Sequence, residues 1–363
     1  MRHPLHSICP YFAMFPEDFV AKQVLAYTKR GDVVFDPFSG RGTTVFESLL
    51  NGRNAAGVDI NPVAACIAGA KADPPRLGAI LKRLAQLEGL FKKWRPNGVP
   101  TSEFFEACFH QQTLVELVFL RSILDWKNSK IDRFIAAVSL GCLHGESHKS
   151  KNCFSNRMPR TISTKPEYSV RWWKANGSVA EKRSTFDILN KMSAYRLAQP
   201  VAPLKGSIKL RDARRASSAF LGLRGAVKLV VTSPPYLDTT DYSEDQWLRL
   251  WFLGGPERPF IKTNLDDRHT SAEEYWRFLS EAWGGCSGLL MSGSVIVIRI
   301  GGTRLTKDDL YDGVLSSLSN GLSTRLKALD YGSTTEIKNR QTNSFRPGTK
   351  SVRFEHDFVF QLC

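Results

Sequence analysis

Short apolar runs alternate along this chain with segments whose apolar residues recur at helical spacing. The runs Val33–Phe35 and Val227–Val231 are β-branched and bounded by turn-forming residues, which is typical of strands buried on both faces. Helical spacing follows the first run, in segments 43–51 and 62–70. Strands that alternate with helices in this way predict an α/β fold with a mostly parallel sheet and helices on both faces.

Between residues 76 and 204 this alternation stops. Leu77, Ile80 and Leu84 begin a series of apolar residues at helical spacing that continues to Val138. A long helical stretch inside an α/β pattern predicts an insertion that forms a second domain. The predicted regions are the first half of the α/β domain (1–75), a mostly helical insertion (76–204) and the second half of the α/β domain (205–363).

The α/β pattern resumes after the insertion. Segments 207–210 and 294–300 are typical of strands, and segment 310–322 is typical of a helix. From Val352 to Phe360 apolar residues alternate with polar ones, which predicts a final strand with one apolar and one polar face. We expect its hairpin partner near residues 330–337.

The chemistry is concentrated where the run 227–231 ends, in Thr232-Ser233-Pro234-Pro235-Tyr236. Proline has a fixed φ and no N–H, so two successive prolines end the strand and hold the carbonyls of Ser233 and Pro234 rigidly. The carboxyl edge of a parallel sheet is where open α/β proteins bind ligands. A hydroxyl, fixed carbonyls and an aromatic ring at this edge are suited to holding a flat ring by its exocyclic amine, while Tyr236 stacks on its face.

A second ligand-binding pattern follows the first strand. The sequence Asp36-Pro37-Phe38-Ser39-Gly40-Arg41-Gly42-Thr43 predicts a glycine turn between that strand and a helix beginning near Thr43. The next strand ends in Asp59, a carboxylate placed to accept hydrogen bonds from ribose hydroxyls. The turn is not a phosphate-binding loop of the Gly-x-x-x-x-Gly-Lys-Ser type, and it lacks the third glycine of a dinucleotide fingerprint.

Together, Ser-Pro-Pro-Tyr and the Asp36–Thr43 turn resemble the amino-group DNA methyltransferases, which implies the Rossmann-like class I methyltransferase fold and S-adenosyl-L-methionine as the cofactor. In that family a Phe-Pro segment closes over the methionine end of the cofactor, although Phe15-Pro16 also fits an ordinary helix start. The resemblance implies these cofactor-binding residues: Phe15, Pro16, Asp36, Phe38, Gly40, Gly42, Thr43, Asp59 and Asp212. The implied catalytic residues are Ser233, Pro234, Pro235 and Tyr236.

The resemblance also implies direct, in-line transfer of a methyl group to the amine of a base flipped out of the duplex, without a covalent enzyme intermediate. Serine before Pro-Pro-Tyr is commoner among the N4-cytosine enzymes, so N4 of cytosine is favoured and N6 of adenine is the alternative. Methylation at cytosine C5 is excluded because the chain has no Pro-Cys dipeptide. Water or Asp238 is the candidate acceptor for the proton that the amine loses. Two alternatives remain: an RNA base methyltransferase and an inactive nucleic-acid-binding protein, each on the same scaffold.

Charge supports a nucleic-acid partner. The chain has 50 Lys and Arg against 35 Asp and Glu, a net charge of +15, which suits contacts with phosphates. Basic residues alternate with aromatic ones in segment 143–177, and a second basic segment covers 338–350. We predict contacts with double-stranded DNA there, with inward-packed aromatics in a solvated basic loop as the alternative. The predicted DNA-binding residues are Lys149, Lys151, Arg157, Arg160, Lys165, Arg171, Arg340 and Arg346.

The cysteine spacing and the length of the apolar runs indicate the cellular compartment of the protein. Seven scattered cysteines without paired spacing predict a reducing compartment. The group Cys142, His144, His148 and Cys153 matches no strong zinc spacing, so no metal is predicted. No apolar run approaches the roughly 20 residues that cross a bilayer. We therefore predict a cytoplasmic, nucleoid-associated protein of prokaryotic type, with no membrane partner and with a cognate restriction endonuclease as a candidate partner.

Overall fold

A computed structural model describes residues 2–11, 16–159, 165–237, 246–259, 271–337 and 352–363. The chain divides into two compact units. We call residues 1–10, 69–201 and 241–261 the helical unit, and residues 11–68, 202–240 and 262–363 the sheet unit.

The regular elements are numbered here in chain order. The helices are α1 (Glu17–Tyr27), α2 (Thr43–Leu50), α3 (Pro62–Ala72), α4 (Leu77–Phe91), α5 (Glu103–Cys108), α6 (Gln111–Ile123), α7 (Lys130–Cys142), α8 (Pro166–Ala175), α9 (Thr185–Arg196), α10 (Ala216–Ala219), α11 (Trp247–Phe252), α12 (Ala272–Ser287) and α13 (Lys307–Leu322). The strands of the sheet unit are β1 (Val33–Asp36), β2 (Asn54–Asp59), β3 (Ser207–Leu210), β4 (Val227–Thr232), β5 (Leu290–Gly301), β6 (Leu326–Asp330), β7 (Thr334–Glu336) and β8 (Phe354–Leu362). Two strands of two residues each, Gly145–Glu146 and Arg157–Met158, pair in the helical unit.

The strands of the sheet unit form one sheet in the order β3-β2-β1-β4-β5-β8-β6, and β7 pairs with β8. The strands from β3 to β5 in this order are parallel, and β8 runs antiparallel to its neighbours. After β1, the strands β2 and β3 are added on one side of β1, and β4 and the later strands lie on its other side. The predicted fold class is confirmed by this mostly parallel α/β sheet with a strand reversal at β1 and β4.

Apolar side chains cover both faces of the sheet, as successive residues of a buried strand require. On one face Val34 lies in a cluster with Val20 of α1. On the other face Phe35 lies in a cluster with Leu279 of α12 and Val314 of α13. All five side chains are fully buried, and each contributes about 1.5–3 kcal/mol relative to an exposed side chain.

The last strand differs from its prediction, because β8 lies between β5 and β6 and both of its faces are covered. Phe358 is buried on one face and Val359 on the other. Asp357, predicted on a polar face, is 5% exposed. The Arg299 guanidinium donates to its two oxygens, Nε to Oδ1 at 2.6 Å and Nη2 to Oδ2 at 2.8 Å. A buried carboxylate is tolerated here because it is paired in this bidentate geometry.

The helical unit contains α4 to α9 and α11, while the predicted domain bounds, with the insertion at 76–204, stay a prediction. Its core joins residues far apart in sequence: the rings of Phe104 and Phe105 lie 4.9 Å and 6.2 Å from the ring of Trp247. Arg121 Nε donates to the carbonyl of Trp251 at 2.7 Å. Within the described part of the chain, every helix is too short or too polar to span a membrane.

Candidate active site

The two predicted motifs meet at the carboxyl edge of the sheet. Asp36 ends β1 and Thr232 ends the neighbouring β4, on either side of the point where the strand order reverses. Thr232 Oγ1 donates to Asp36 Oδ1 at 2.6 Å, and Thr44 Oγ1 donates to the carbonyl of Val231 at 3.0 Å. Open α/β sheets bind ligands at such a reversal, so this edge is the candidate site.

The glycine turn has the backbone geometry that the sequence predicts. Gly40 and Gly42 have left-handed φ values of 50° and 74°. A Cβ atom at Gly42 would lie 2.7 Å from the Cβ of Ala68, which is closer than carbon atoms can approach. Gly42 immediately precedes α2, so the turn presents the amide end of that helix.

The carboxylate of Asp59 accepts two hydrogen bonds that hold this turn in place. Its Oδ2 accepts from the amide of Gly40 and its Oδ1 from the amide of Asn61, both at 2.8 Å. A carboxylate has about four lone-pair sites, so these two bonds leave capacity for a ribose hydroxyl. Its predicted role toward ribose therefore fits the geometry and stays a prediction.

The carboxyl groups of Asp36 and Asp59 at this edge are shielded from water, which disfavours their charged forms. Burial raises the pKa of Asp36 to about 6, although hydrogen bonds from Thr232 and the Phe38 amide lower it. Burial raises the pKa of Asp59 to about 7, against the hydrogen bonds from the amides of Asn61 and Gly40 and with the charge of Asp36 adding to the rise. A cation bound at this edge would favour both ionised carboxylates.

These shifts predict how the stability of the ligand-free protein depends on pH. Because the folded pKa of Asp59 lies above the ordinary value of 3.8, its contribution to stability is complete below that pH and is lost as pH rises through about 7. We expect the free energy of unfolding to fall between about pH 4 and 7, by at most about 1.4 kcal/mol per pH unit for this group, and to level off above pH 7. Asp59→Asn is expected to flatten that fall in urea unfolding measured at several pH values.

The matched control is Asp18→Asn, which removes an exposed carboxylate from the start of α1. It makes the same change from a carboxylate to an amide outside the two motifs. An Asp59→Asn protein with the full wild-type pH dependence would show that Asp59 titrates at its ordinary value.

An open cavity of about 610 Å³ lies beside the carboxyl ends of β2 and β3. Asp212 lines it, and so does Ile60, whose side chain is 61% exposed and offers an apolar surface that the sequence pattern did not single out. The Asp212 carboxylate accepts from Arg214 Nη2 at 2.7 Å, and Arg214 Nη1 also donates to Glu281 at 3.1 Å. The family resemblance implies that Asp212 accepts from the adenine amine of the cofactor, and this role stays a prediction for a carboxylate that already has a cationic partner.

The other predicted cofactor residues frame the turn. Phe38 is partly buried, and its ring lies 6.0 Å from that of Phe278. Thr43 is buried, and its Oγ1 accepts from Arg41 Nε at 3.3 Å. Pro16 stands at the N-terminus of α1, and Phe15 lies outside the described residues.

The predicted catalytic tetrapeptide, Ser233 to Tyr236, is held by residues that sequence reasoning missed. Tyr275 Oη on α12 donates to the carbonyl of Pro235 at 2.8 Å. Tyr236 Oη donates to Glu355 Oε1 on β8 at 2.9 Å, across 119 positions of sequence. In the sequence, Glu355 is one acidic residue in an alternating strand pattern, and this pattern predicts only a position on the polar face. Asp238, a candidate proton acceptor, lies outside the described residues.

The predicted DNA-binding residues of the helical unit divide into two groups. Arg157 Nη1 donates to the carbonyls of Ser147 and Lys149, at 3.2 Å and 3.4 Å, so it holds its own loop together. Lys149 Nζ lies 2.8 Å from Glu146 Oε1 in an exposed pair. The side chains of Lys151, Lys165 and Arg171 are exposed. Arg160, Arg340 and Arg346 lie outside the described residues.

The aromatic residues of this segment also divide. Phe154 and Trp173 are buried, and the Trp173 indole donates to the carbonyl of Arg157 at 3.1 Å. Tyr168 is 51% exposed on α8, the helix that carries Arg171. The basic surface with an exposed aromatic ring is therefore α8 and not the whole segment. Among the described residues, no group of three or more His, Cys, Asp or Glu could hold a metal ion.

The strand order of the sheet unit is that of the class I methyltransferase fold. Residues 3–68 match the family model described as DNA methylase. The orphan methyltransferase M.BamHII of Bacillus amyloliquefaciens is 43% identical over 49 residues, 14% of this chain and 18% of that protein. The type II methyltransferase M.MvaI of Kocuria varians is 23% identical over 232 residues, 60% of this chain and 49% of that protein. This chain spans at most about half the length of these relatives.

Among solved structures, the rRNA methyltransferase aviRa of Streptomyces viridochromogenes is 12% identical with a TM-score of 0.37, and the match covers 99% of this chain and 90% of that one. The fold follows from the strand order described above. The predicted resemblance to the amino-group DNA methyltransferases is confirmed by the family match and the named relatives. The prediction of S-adenosylmethionine as the cofactor is confirmed with it.

Proposed function

We propose that this chain is a site-specific DNA methyltransferase that acts on the N4 amine of a flipped cytosine. The observation that carries the proposal is the 2.6 Å hydrogen bond from Thr232 to Asp36, which fixes Ser-Pro-Pro-Tyr beside the glycine turn. Positioning of this kind supplies much of the rate when two reactants must meet in line.

The residues at the sheet edge fit S-adenosylmethionine by their chemistry. The glycine turn with the following Thr43 allows close approach of a ligand to the backbone, and Asp59 keeps acceptor capacity for hydroxyl groups. The cavity at Ile60 and Asp212 offers an apolar surface beside a carboxylate, which suits a flat aminated ring. The buried Asp36 and the partly buried Asp59 favour a cationic ligand. Bound there, the cofactor supplies an electrophilic methyl group.

The tetrapeptide would hold the amine. Ser233 Oγ donates its own proton to Tyr236 Oη at 3.2 Å, so its lone pairs are available to accept an N–H of the substrate. The Pro234 carbonyl is proposed as the second acceptor, in a turn that Tyr275 fixes through Pro235. Two such bonds favour a pyramidal nitrogen whose lone pair is available for attack. Tyr236 would stack on the flipped base.

Double-stranded DNA as the substrate is supported by the net charge of +15 and by the exposed Lys165, Tyr168 and Arg171 on and beside α8. The relatives named as type II methyltransferases support the proposal of site specificity. A cognate restriction endonuclease is proposed on the same ground.

The test is product identification. The purified protein is incubated with S-adenosylmethionine and unmethylated genomic DNA, the DNA is digested to nucleosides, and the methylated nucleoside is identified by mass spectrometry. We expect N4-methylcytosine with the wild-type protein and with Ser287→Ala, a control that removes an exposed hydroxyl from the end of α12. Over a short incubation we expect at least about a hundredfold less product with Ser233→Ala.

Each outcome decides between the candidate activities. N6-methyladenine would keep the mechanism and change the base. Product from RNA but not from duplex DNA would replace DNA by RNA as the substrate. Cofactor binding without any methylated nucleoside would overturn the enzymatic proposal in favour of an inactive nucleic-acid-binding protein.

A further inference from the structure

A chain of hydrogen bonds leads away from the catalytic serine. Ser233 Oγ donates to Tyr236 Oη at 3.2 Å, and Tyr236 Oη donates to Glu355 Oε1 at 2.9 Å. Each hydroxyl in this chain donates toward the next oxygen, so the bonds point in one direction and end at a carboxylate. Chains of this kind can pass a proton by successive transfers along existing hydrogen bonds.

The sheet brings Glu355 to the active edge. β8 runs antiparallel to β5, so its first residues lie beside the carboxyl end of β5, where Glu355 pairs with Gly301. Gly301 leaves room for the tyrosine, because a Cβ there would lie 3.3 Å from Tyr236 Cε2 and 2.7 Å from the carbonyl oxygen of Phe354. The contact between Tyr236 and Glu355 is thus built into the sheet.

The charged groups around Glu355 leave it able to take a proton. Arg299 Nη1 on β5 lies 3.8 Å from Glu355 Oε2, but the same guanidinium makes its two short bonds to Asp357. On the other side β7 places the uncharged Thr335 opposite Glu355. Burial raises the pKa of the Glu355 carboxyl and the charge of Asp357 adds to the rise, while the bond from Tyr236 and the charge of Arg299 lower it.

We propose that Glu355 is the positioning residue and final proton acceptor of the methyl transfer, acting through Tyr236 and Ser233. The inference rests on the proposed function and assigns the step that the tetrapeptide alone leaves open. Serine is too weak a base to keep the proton of the amine. Because the Glu355 carboxylate lies two hydrogen bonds away, the serine passes the proton on and Glu355 is the final base.

The step balances as follows. The amine nitrogen forms a bond to the methyl carbon, and the electrons of the broken sulfur–methyl bond stay on sulfur. One N–H bond of the methylated amine then breaks, and its proton goes to Ser233 Oγ. The serine proton moves to Tyr236 Oη, and the tyrosine proton moves to Glu355 Oε1. Serine and tyrosine end neutral, Glu355 ends as the carboxylic acid, and that acid later loses its proton to water.

The variant that tests this is Glu355→Gln, whose amide oxygen can still accept from Tyr236 but cannot take a proton in this pH range. Single-turnover methyl transfer to duplex DNA is measured between pH 5.5 and 9, with dissociation constants for S-adenosylmethionine and DNA measured alongside. For the wild type we expect a rate that rises with pH and then levels off as Glu355 ionises. For Glu355→Gln we expect a rate about 10²-fold lower at pH 7.5, no such inflection, and unchanged dissociation constants.

Three further variants separate a proton acceptor from a purely structural contact. Glu355→Asp is expected to restore a pH inflection and part of the rate. Tyr236→Phe keeps the ring and breaks the chain, so it should lose the inflection as Glu355→Gln does. Glu336→Gln makes the same charge change at an exposed position on β7 and is expected to match the wild type.

The outcomes distinguish the two proposals. If wild-type protein forms no methylated DNA, the proposed function and the relay are both overturned. If the wild type is active and Glu355→Gln keeps its rate and its pH profile, the relay alone is overturned. A Glu355→Gln protein that loses both rate and thermal stability but keeps the pH inflection would also overturn the relay, because that result indicates a role in folding.

Discussion

Replacing Ser233 by alanine is expected to lower the rate constant of methyl transfer by about 10²–10³-fold, a loss typical of removing one hydrogen-bonding group from a reacting centre. The change removes an acceptor for the amine and the first oxygen of the chain to Glu355. Binding of S-adenosylmethionine should not change, because the glycine turn and Asp59 lie on β1, β2 and the start of α2. Single-turnover kinetics and isothermal titration calorimetry measure the two quantities separately.

The serine control for this experiment is Ser287→Ala, whose hydroxyl donates only locally, to the carbonyl of Gly284. We expect it to keep the wild-type rate. A Ser233→Ala protein that methylates at the wild-type rate would remove the serine from the mechanism. A Ser233→Ala protein that no longer binds the cofactor would instead place Ser233 in the cofactor site.

The second large effect is expected from Gly42→Ala. The substitution places a side chain on a residue with a φ of 74° and sets a Cβ atom 2.7 Å from the Cβ and 2.8 Å from the Cα of Ala68. The combination of backbone strain and overpacking should lower the free energy of unfolding by about 2–4 kcal/mol. Because the turn must move to relieve the contact, we also expect cofactor affinity to fall by at least about tenfold. Urea unfolding and titration calorimetry are the measurements.

Gly89→Ala is the matched control, because a Cβ at this position in α4 meets no atom within 4 Å. An alanine inside a helix is favoured over glycine, so this variant should gain about 0.5–1 kcal/mol and bind the cofactor normally. Should Gly42→Ala prove as stable as the wild type, the tight turn before α2 would not need glycine.

The fold and the cofactor edge could be predicted because their signals are local. The run Val227–Val231 is a strand by composition, the prolines after it end the strand, and the glycines between Asp36 and Thr43 require a turn. The location of Ser-Pro-Pro-Tyr at the carboxyl edge followed from one further rule, that open α/β sheets bind ligands there.

The rest could not be predicted because it depends on pairings across long stretches of chain. Asp357 belongs to an alternating pattern that predicts a solvated face, yet β8 lies inside the sheet and buries it against Arg299. Glu355 reaches Tyr236 only because β8 is paired with β5 in one particular register. Likewise, the packing of Phe104 on Trp247 joins segments about 140 positions apart, which helical spacing cannot reveal.

The hydrogen bonds from Thr232 to Asp36 and from Thr44 to Val231 run across neighbouring strands and not along the chain. The alignment of the two motifs therefore does not depend on which of them is encoded first, or on what the gene places between them. Strand pairing and these two cross-strand bonds, and not the length of chain between the motifs, set the distance between Asp36 and Thr232.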